Sequence, residues 1–180
     1  RMPLQILGLN HNTAPLEIRE QLVFAGDEIP RALERLTALE GVDEAVLLST
    51  CNRTEFYIIG QDGGREHLEQ WLHDDRKLDD GFADSLFTKD GEEAIKHIFR
   101  VACGLDSMVL GEPQILGQLK DAFRYAQQAN TLGSNLSRLF QHTFAVAKKI
   151  RTDTEIGASP VSVASAAVNL AQQFFAGFKK

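Results

Sequence analysis

The sequence predicts an α+β fold, in which a ferredoxin-like antiparallel sheet built on a split β-α-β pattern is followed by a helical subdomain. Two observations indicate this fold. Short apolar runs and amphipathic segments alternate over residues 1–90 in the order β-α-β-β-α-β. From residue 91 onward the apolar spacing is helical. With 180 residues, of which 43% are hydrophobic, the chain is long enough to bury a substantial core.

The elements of the sheet part are recognised one by one from their local patterns. LQILGLN, residues 4–10, predicts the first strand, and apolar residues at helical spacing predict a helical segment from about Pro15 to Glu40. EAVLLS and EFYIIG predict the second and third strands, separated by the polar residues TCNRT. GREHLEQWLH, residues 64–73, predicts a short amphipathic helix. A fourth strand, the weakest of these predictions, is expected near Ser85–Thr88.

Four helical segments complete the chain, and Pro113 and Pro160 fit the first turns of two of them. The last segment keeps an apolar stripe up to the final two lysines, formed by Val163, Ala167, Leu170, Ala171, Phe174 and Phe178. This stripe predicts a neighbour that the chain lacks. We therefore divide the chain into a sheet subdomain (1–90), a helical part of the same domain (91–157) and a helix that leads toward a further domain (158–180).

Composition excludes several classes of protein. The longest apolar runs are too short to span a bilayer, and the N-terminus lacks the pattern of a secretory signal. Two cysteines give no disulfide framework, which favours a cytoplasmic location, and a net charge of -6 argues against a general phosphate-binding surface. No dinucleotide fingerprint, phosphate-binding loop or zinc spacing is present, so no cofactor or metal is predicted by motif.

Cys51 is the first candidate for chemistry. A free cysteine is more often a small buried hydrophobe than a nucleophile. Arg53, however, is expected to lie with it in a short loop leaving a strand, where a nearby cation favours the reactive thiolate. An arginine can also clamp a carboxylate, and Thr50 and Asn52 add hydroxyl and amide groups around the sulfur. The alternative for Arg53 is a solvated residue at a sheet edge.

Two further groups of polar residues accompany predicted helices. His97 falls at the border of the apolar arc of its helix, so it is either a half-buried histidine bound to a backbone carbonyl or an acid, base or orienting group facing a cleft. Gln114 and Gln118 are four residues apart and share a helix face that can point at one ligand, or is only solvated. Cys103 is expected in the core.

With these residues identified, the chain resembles the N-terminal catalytic domain of glutamyl-tRNA reductase. Four strings carry the resemblance over nearly the whole chain: GLNHNTAPLEIRE, LLSTCNRTEFY, GLDSMVLGEPQILGQLKDAF and AKKIRTDTEIGASPVSVASAAV. The resemblance implies that Cys51 attacks the ester carbonyl of glutamate charged on its tRNA and forms a glutamyl thioester. NADPH then reduces this thioester to glutamate-1-semialdehyde in the first step of tetrapyrrole (porphyrin, haem) biosynthesis.

The resemblance also implies roles for individual residues. His97 matches the activity-related histidine of the family. The implied substrate contacts, carried over by motif, are Thr50, Asn52, Arg53, Ser107, Glu112, Pro113, Gln114 and Gln118. Family members continue into an NADPH-binding domain and a dimerisation domain. We therefore expect this chain to form and hydrolyse the thioester without reducing it efficiently, to hold no NADPH or metal, and to be monomeric or weakly associated.

Glutamyl-tRNA is the implied partner, with a regulatory protein or the next enzyme of the pathway as further candidates. Two other functions stay open at this point. A general thiol hydrolase would pair Cys51 with His97. A non-enzymatic module would bind glutamyl-tRNA or a regulatory protein through the apolar stripe of the last helix.

Overall fold

A computed structural model of the protein describes residues 4–105, 114–154 and 160–178. Its α+β architecture agrees with the prediction, and the sheet part follows the expected order of elements. The elements are β1 (Leu4–Asn10), α1 (Leu16–Gln21), α2 (Ile29–Thr37), β2 (Val42–Ser49), β3 (Arg53–Gly60), α3 (Gly64–Arg76), a 3₁₀ turn (Asp80–Ser85), β4 (Phe87–Asp90), α4 (Gly91–Ala102), α5 (Gln114–Gln128), α6 (Ser134–Thr154) and α7 (Pro160–Phe178).

The four described strands form one antiparallel sheet in the order β2-β3-β1-β4. This order is the ferredoxin-like arrangement, because the second and third strands make a hairpin and the first strand lies between the third and fourth. The weakest predicted strand is present as β4, two residues later than expected. Asn10, the last residue of β1, pairs with Arg53, so β1 ends beside the turn that joins β2 to β3.

Both faces of the sheet are covered. Alternate residues of a strand point to opposite faces, and every residue from Arg53 to Ile59 is buried. On one face, Phe56 contacts the ring of Phe24, which precedes α2. On the other, Tyr57 contacts Phe140 of α6. An antiparallel sheet can leave one face solvated, but here the helical part covers the second face, so β3 is buried on both sides.

The segment predicted as helical from Pro15 to Glu40 is divided into two helices, α1 and α2, by residues 22–28. Leu22 and Phe24 turn into the core there, with 1% and 4% of their surface exposed. Pro30 then occupies the first turn of α2, where its missing N–H costs no hydrogen bond. The helical periodicity was correct, but tertiary burial of two side chains interrupts the helix.

The open edge of β2 is partly sealed by the loop between α5 and α6. The N–H of Ala45 donates to the Thr131 carbonyl at 2.9 Å, and Thr131 Oγ1 donates to the Ala45 carbonyl at 2.9 Å. The neighbouring carboxylate of Glu44 accepts the N–H groups of Gly133 at 2.7 Å and Leu136 at 2.9 Å. Strand and helix start are thereby joined, which protects an edge that otherwise invites pairing with another chain.

The apolar stripe of the last helix is covered within this chain. α7 begins at Pro160 as predicted and packs on α4 and α6. Five stripe residues are buried: Val163, Ala167, Leu170, Ala171 and Phe174. The prediction of an unpartnered stripe is therefore wrong for these residues, because α4 and α6 supply the apolar surface that the sequence did not reveal. None of the helices in the described ranges combines the length and hydropathy needed to cross a membrane.

Candidate active site

Cys51 lies at the tip of the tight turn between β2 and β3, and its side chain is exposed. The turn is closed by the N–H of Thr50, which donates to the Arg53 carbonyl at 2.8 Å. Thr50 Oγ1 in turn accepts the N–H groups of Asn52 and Arg53, each at 3.2 Å. The polar residues that follow the apolar strand are thus turn-forming residues, and they present the thiol to solvent on a hydrogen-bonded loop.

Arg53 does not share that exposed turn. It is the first residue of β3 and is 2% exposed, so the expectation of a loop arginine beside the thiol is wrong, as is the alternative of a solvated residue at a sheet edge. The physical reason is Glu55, two positions along the strand and on the same face, whose Oε2 lies 2.6 Å from Arg53 Nη1. A buried arginine needs such a compensating charge.

Glu55 is the centre of a buried polar network. Its carboxylate is completely buried and accepts hydrogen bonds from Arg53 Nη1 at 2.6 Å and from the Tyr57 hydroxyl at 2.5 Å. His97 Nε2 of α4 lies 3.0 Å from both carboxylate oxygens. Arg53, Glu55 and Tyr57 occupy alternate positions of β3, so one face of a single strand supplies three of the four groups.

The network keeps Glu55 ionised. Burial alone raises the pKa of this carboxyl, but the charge and hydrogen bond of His97, the charge of Arg53 and the hydroxyl of Tyr57 outweigh it and lower the pKa from 4.5 to about 2. An ionised carboxylate can only accept hydrogen bonds, so the hydrogen of the His97 contact belongs to Nε2. The pairing therefore orients the imidazole as well as neutralising the buried charge.

His97 is more deeply placed than its position on the helical wheel suggested. The side chain is buried, and its ring packs against Phe87 with 5.2 Å between centroids. Its Nε2 atom is paired with the Glu55 carboxylate. A helical wheel considers one helix alone, so it could not reveal the partner Glu55, which lies 42 positions away in the sequence.

Gln114 and Gln118 are both exposed on the first turns of α5. Gln118 lines a cavity of about 160 Å³ at the edge of β2, which is also lined by Ser49 at the end of that strand. The other predicted substrate contacts, Ser107, Glu112 and Pro113, lie outside the described residues. Cys103 is buried, as predicted. Within the described ranges, no group of three His, Cys, Asp or Glu residues is arranged to hold a metal ion.

The site combines an exposed cysteine on a hydrogen-bonded turn with a buried Arg–Glu–His network in the adjoining strand and helix. The chain that carries it also matches a known family. The profile of the family described as "Glutamyl-tRNAGlu reductase, N-terminal domain" matches residues 7–154. The chain belongs to this family. The resemblance stated from the sequence motifs is thereby confirmed, and the exposed turn, Glu55 and His97 all fall within the matched part.

Relatives named glutamyl-tRNA reductase are considerably longer than the chain. Glutamyl-tRNA reductase from Xanthomonas campestris pv. phaseoli is 58% identical over 175 residues, which cover 97% of this chain and 40% of the relative. The enzyme from Xanthomonas axonopodis pv. citri is 57% identical with the same coverage. The structure of glutamyl-tRNA reductase from Methanopyrus kandleri matches with a TM-score of 0.72 and 35% identity, covering 96% of this chain and 40% of that one.

Two members of the buried network, Glu55 and Tyr57, were missed by sequence reasoning. A signal for them was present: Arg53, Glu55 and Tyr57 stand at every second position, the first in the polar segment TCNRT and the other two in the predicted strand EFYIIG. Polar side chains on one face usually indicate a solvated face, and here they instead meet His97. What was missing was the second helical layer.

Proposed function

We propose that this chain is the catalytic domain of an NADPH-dependent reductase that converts glutamyl-tRNA to glutamate-1-semialdehyde. Its own part of the reaction is the transfer of the glutamyl group from tRNA to Cys51. The observation that carries the proposal is the exposed thiol on a hydrogen-bonded turn, which leads into the strand of the buried Arg53–Glu55–His97 network, in a chain of this family. Relatives named glutamyl-tRNA reductase support the choice of substrate.

The acyl transfer needs only the Cys51 thiol and the glutamyl ester as reactants. Cys51 Sγ attacks the carbonyl carbon of the glutamyl ester and forms the carbon–sulfur bond. The bond between that carbon and the ribose oxygen of the tRNA then breaks, and the thiol proton ends on the released hydroxyl. The thioester keeps its carbonyl electrophilic, which divides one difficult reduction into two easier steps.

The buried network positions the groups around this reaction. Glu55 holds Arg53 and His97 in fixed orientations from one carboxylate. From the family motif, Arg53 is proposed to bind the side-chain carboxylate of the glutamyl group, because a guanidinium can clamp a carboxylate with two parallel hydrogen bonds. His97 is proposed to assist proton movement or to orient the ester. Glu55 is a positioning residue.

The remaining substrate contacts are proposed from the family motif. Thr50 and Asn52 flank the sulfur on the turn, and Gln118 lies on α5 near the end of β2. Ser107, Glu112, Pro113 and Gln114 complete the proposed glutamyl site.

The use of NADPH is inferred from the family alone. The chain carries no glycine-rich dinucleotide motif, so its residues do not fit a nicotinamide cofactor and no step is assigned to one here. The chain spans 40% of the length of the relatives cited above. We therefore propose that residues 1–180 form and hydrolyse the thioester, whereas efficient reduction, in a dimeric, cytoplasmic enzyme of tetrapyrrole biosynthesis, uses the part of the relatives that these residues do not match. A regulatory protein or the next enzyme of the pathway is a further candidate partner.

The competing functions are less well supported. A general thiol hydrolase would use the same Cys51 and His97, but the family match supports glutamyl transfer from tRNA instead. The binding module relied on an apolar stripe whose residues Leu170 and Phe174 are buried against neighbouring helices.

The test is acylation in the absence of NADPH. The wild-type chain and the variants Cys51→Ser and Cys103→Ser are each incubated with glutamate-charged tRNA. The reactions are quenched at acidic pH, and the intact protein masses are measured. We expect an adduct of about 129 Da on the wild type and on Cys103→Ser, and none on Cys51→Ser, because only the exposed thiol is the nucleophile. An adduct that survives Cys51→Ser would contradict the assignment. Absence of any adduct and of accelerated tRNA deacylation would contradict the proposed function.

A further inference from the structure

A cavity lies away from Cys51, between the start of α2 and the end of α3. It measures about 480 Å³, and no role has been assigned to it above. Its wall combines one tryptophan, three arginines and three carboxylates; the residues that matter below are Glu28, Arg31, Arg35, Trp71, Asp75 and Arg76. This combination differs from an apolar groove, because it offers an aromatic face together with hydrogen-bond donors and acceptors.

The cavity lies at the same end of the sheet as the Cys51 turn. β1 ends at that turn, since Asn10 pairs with Arg53, and the chain then enters α1 and α2. α2 therefore begins at the turn end of the sheet and runs away from it. α3 follows the far end of β3 and runs back, so its last residue, Arg76, also lies at the turn end. The first turns of α2 and the last turns of α3 enclose the cavity there.

A single segment, residues 22–28, separates the cavity from the catalytic turn. The N–H of Phe24 donates to Ser49 Oγ at 2.9 Å, and Ser49 is two residues before Cys51. On its other side, the segment receives a hydrogen bond of 3.2 Å from Arg76 Nη2 to the Val23 carbonyl. Two residues of extended chain span at most about 7 Å, so the cavity and the thiol are neighbouring sites.

The aromatic part of the wall is a stacked platform. The half-buried ring of Trp71 lies nearly parallel to the ring of Phe24, with an interplanar angle of 16° and 6.4 Å between centroids. The guanidinium of Arg76 stands 4.0 Å from the centroid of Phe24. Among the described residues, the buried Nε atom of Arg76 has no hydrogen-bond partner, and Asp75 Oδ2 lies 3.7 Å from it, beyond hydrogen-bond distance. Aromatic rings and arginine planes of this kind receive unpaired nucleotide bases.

The charged part of the wall is loosely paired. Arg35 Nη1 lies 3.7 Å from Asp75 Oδ1, and Arg76 Nη2 lies 3.6 Å from Glu28 Oε2. Exposed ion pairs at such distances stabilise a protein little, so a ligand can replace them at small cost. Arg31 is exposed on the same wall. Arginines suit phosphates, and carboxylates accept hydrogen bonds from the amino groups of bases.

We propose that this cavity binds the 3′-terminal nucleotides of the charged tRNA while its glutamyl ester reaches Cys51. The proposal rests on the proposed function and adds the surface that receives the nucleic acid. Unpaired terminal nucleotides, rather than a duplex, fit it because a stacking platform and a few arginines recognise bases that are free to leave a helix. A local site of this kind is also compatible with the net charge of -6, which disfavours an extended basic surface.

The first experiment compares two acyl donors. Cys51 is acylated by glutamyl-tRNA and, separately, by a simple alkyl ester of glutamate that carries no nucleotide, and kcat/KM is measured by intact mass. Trp71→Ala and Arg31→Glu are expected to lower kcat/KM about tenfold or more for glutamyl-tRNA, since base stacking alone is worth a factor of about 5 to 100. The same variants leave kcat/KM for the simple ester unchanged. Arg100→Glu, an exposed charge reversal on α4, serves as the matched control and keeps the wild-type value for both donors.

The outcomes separate the two proposals. Equal losses with both donors would mean that the variants damage the catalytic turn, and no loss with either would mean that the cavity does not bind tRNA; each overturns this inference and leaves the proposed function standing. Failure of the wild type to react with either donor overturns the proposed function. Arg31→Glu is informative even if Trp71→Ala does not fold, because Arg31 is exposed and outside the core.

The second experiment does not depend on activity. Trp71 is the single tryptophan of the chain, so its fluorescence reports on the cavity alone. The trinucleotide CCA, the common end of tRNAs, is expected to quench this fluorescence with the same apparent affinity in the wild type and in Arg100→Glu. In Arg31→Glu the apparent affinity is expected to be at least about fivefold weaker. No quenching would overturn the inference. Quenching by adenosine monophosphate at the same concentrations as CCA would also overturn it, because the cavity would then be a site for free nucleotides.

Discussion

Replacing Glu55 by glutamine removes the charge at the centre of the buried network and is expected to lower the free energy of unfolding by about 3 kcal/mol at pH 7. The magnitude comes from the carboxyl group itself. Its pKa falls from 4.5 to about 2 on folding, and one pKa unit corresponds to about 1.4 kcal/mol. Breaking a buried ion pair by removing one partner costs a similar amount, about 3 to 5 kcal/mol. Urea unfolding of the wild type and of Glu55→Gln measures the difference.

The pH dependence gives the sharper test. Because the folded state lowers the pKa of Glu55, its contribution is complete above about pH 4.5 and is lost as the pH falls toward 2. The stability difference between wild type and Glu55→Gln is therefore expected to shrink over this range. Glu44→Gln is the matched control, since Glu44 is also a buried carboxylate but accepts only backbone N–H groups. The free energy of unfolding of Glu44→Gln should still fall with decreasing pH, because Glu55 is unchanged in this variant. A difference for Glu55→Gln below about 1 kcal/mol, or one independent of pH, would refute the reasoning.

Three other predictions follow from exposure and contact. His97→Asn is expected to lower the rate of Cys51 acylation about 100-fold or more while iodoacetamide alkylates the thiol as before; equal loss of both reactions would mean that the turn itself has collapsed. Iodoacetamide should modify the native chain once, at exposed Cys51, and modify buried Cys103 only in urea, as peptide mass mapping can show. Phe174→Ala should lower the free energy of unfolding by about 3 to 5 kcal/mol and Val161→Ala by less than about 0.5 kcal/mol, since Phe174 is buried and Val161 is 79% exposed; similar unfolding curves would contradict the packing of α7.

Much of the fold was accessible because strands and helices have local signatures. Period-2 and period-3.6 spacing identified β1, β2, β3, α3 and the helical second half without knowledge of what they contact. The same locality placed Cys51 in a polar turn. Boundaries were less accurate where tertiary contacts decide them, as at Leu22 and Phe24, whose burial divides one predicted helical segment into two helices.

The sequence offered candidate residues for the site but not their geometry. Cys51, Arg53 and His97 stood out by residue type and by family motif, and Glu55 did not. Its significance depends on a histidine 42 positions away, and no period within one segment can report that contact. For the same reason Arg53 was predicted to be exposed, whereas it is buried.

By itself, the sequence determined the order of the elements, the turn that carries the thiol and the family, since each depends on residues close together in the chain. Only the tertiary structure decided that Arg53 faces Glu55, that α7 finds its partner within the chain, and that the ends of α2 and α3 enclose a cavity beside Cys51. These features depend on which surfaces meet across the sheet. Burial then decides whether a polar side chain is solvated or held by a charge from a distant segment.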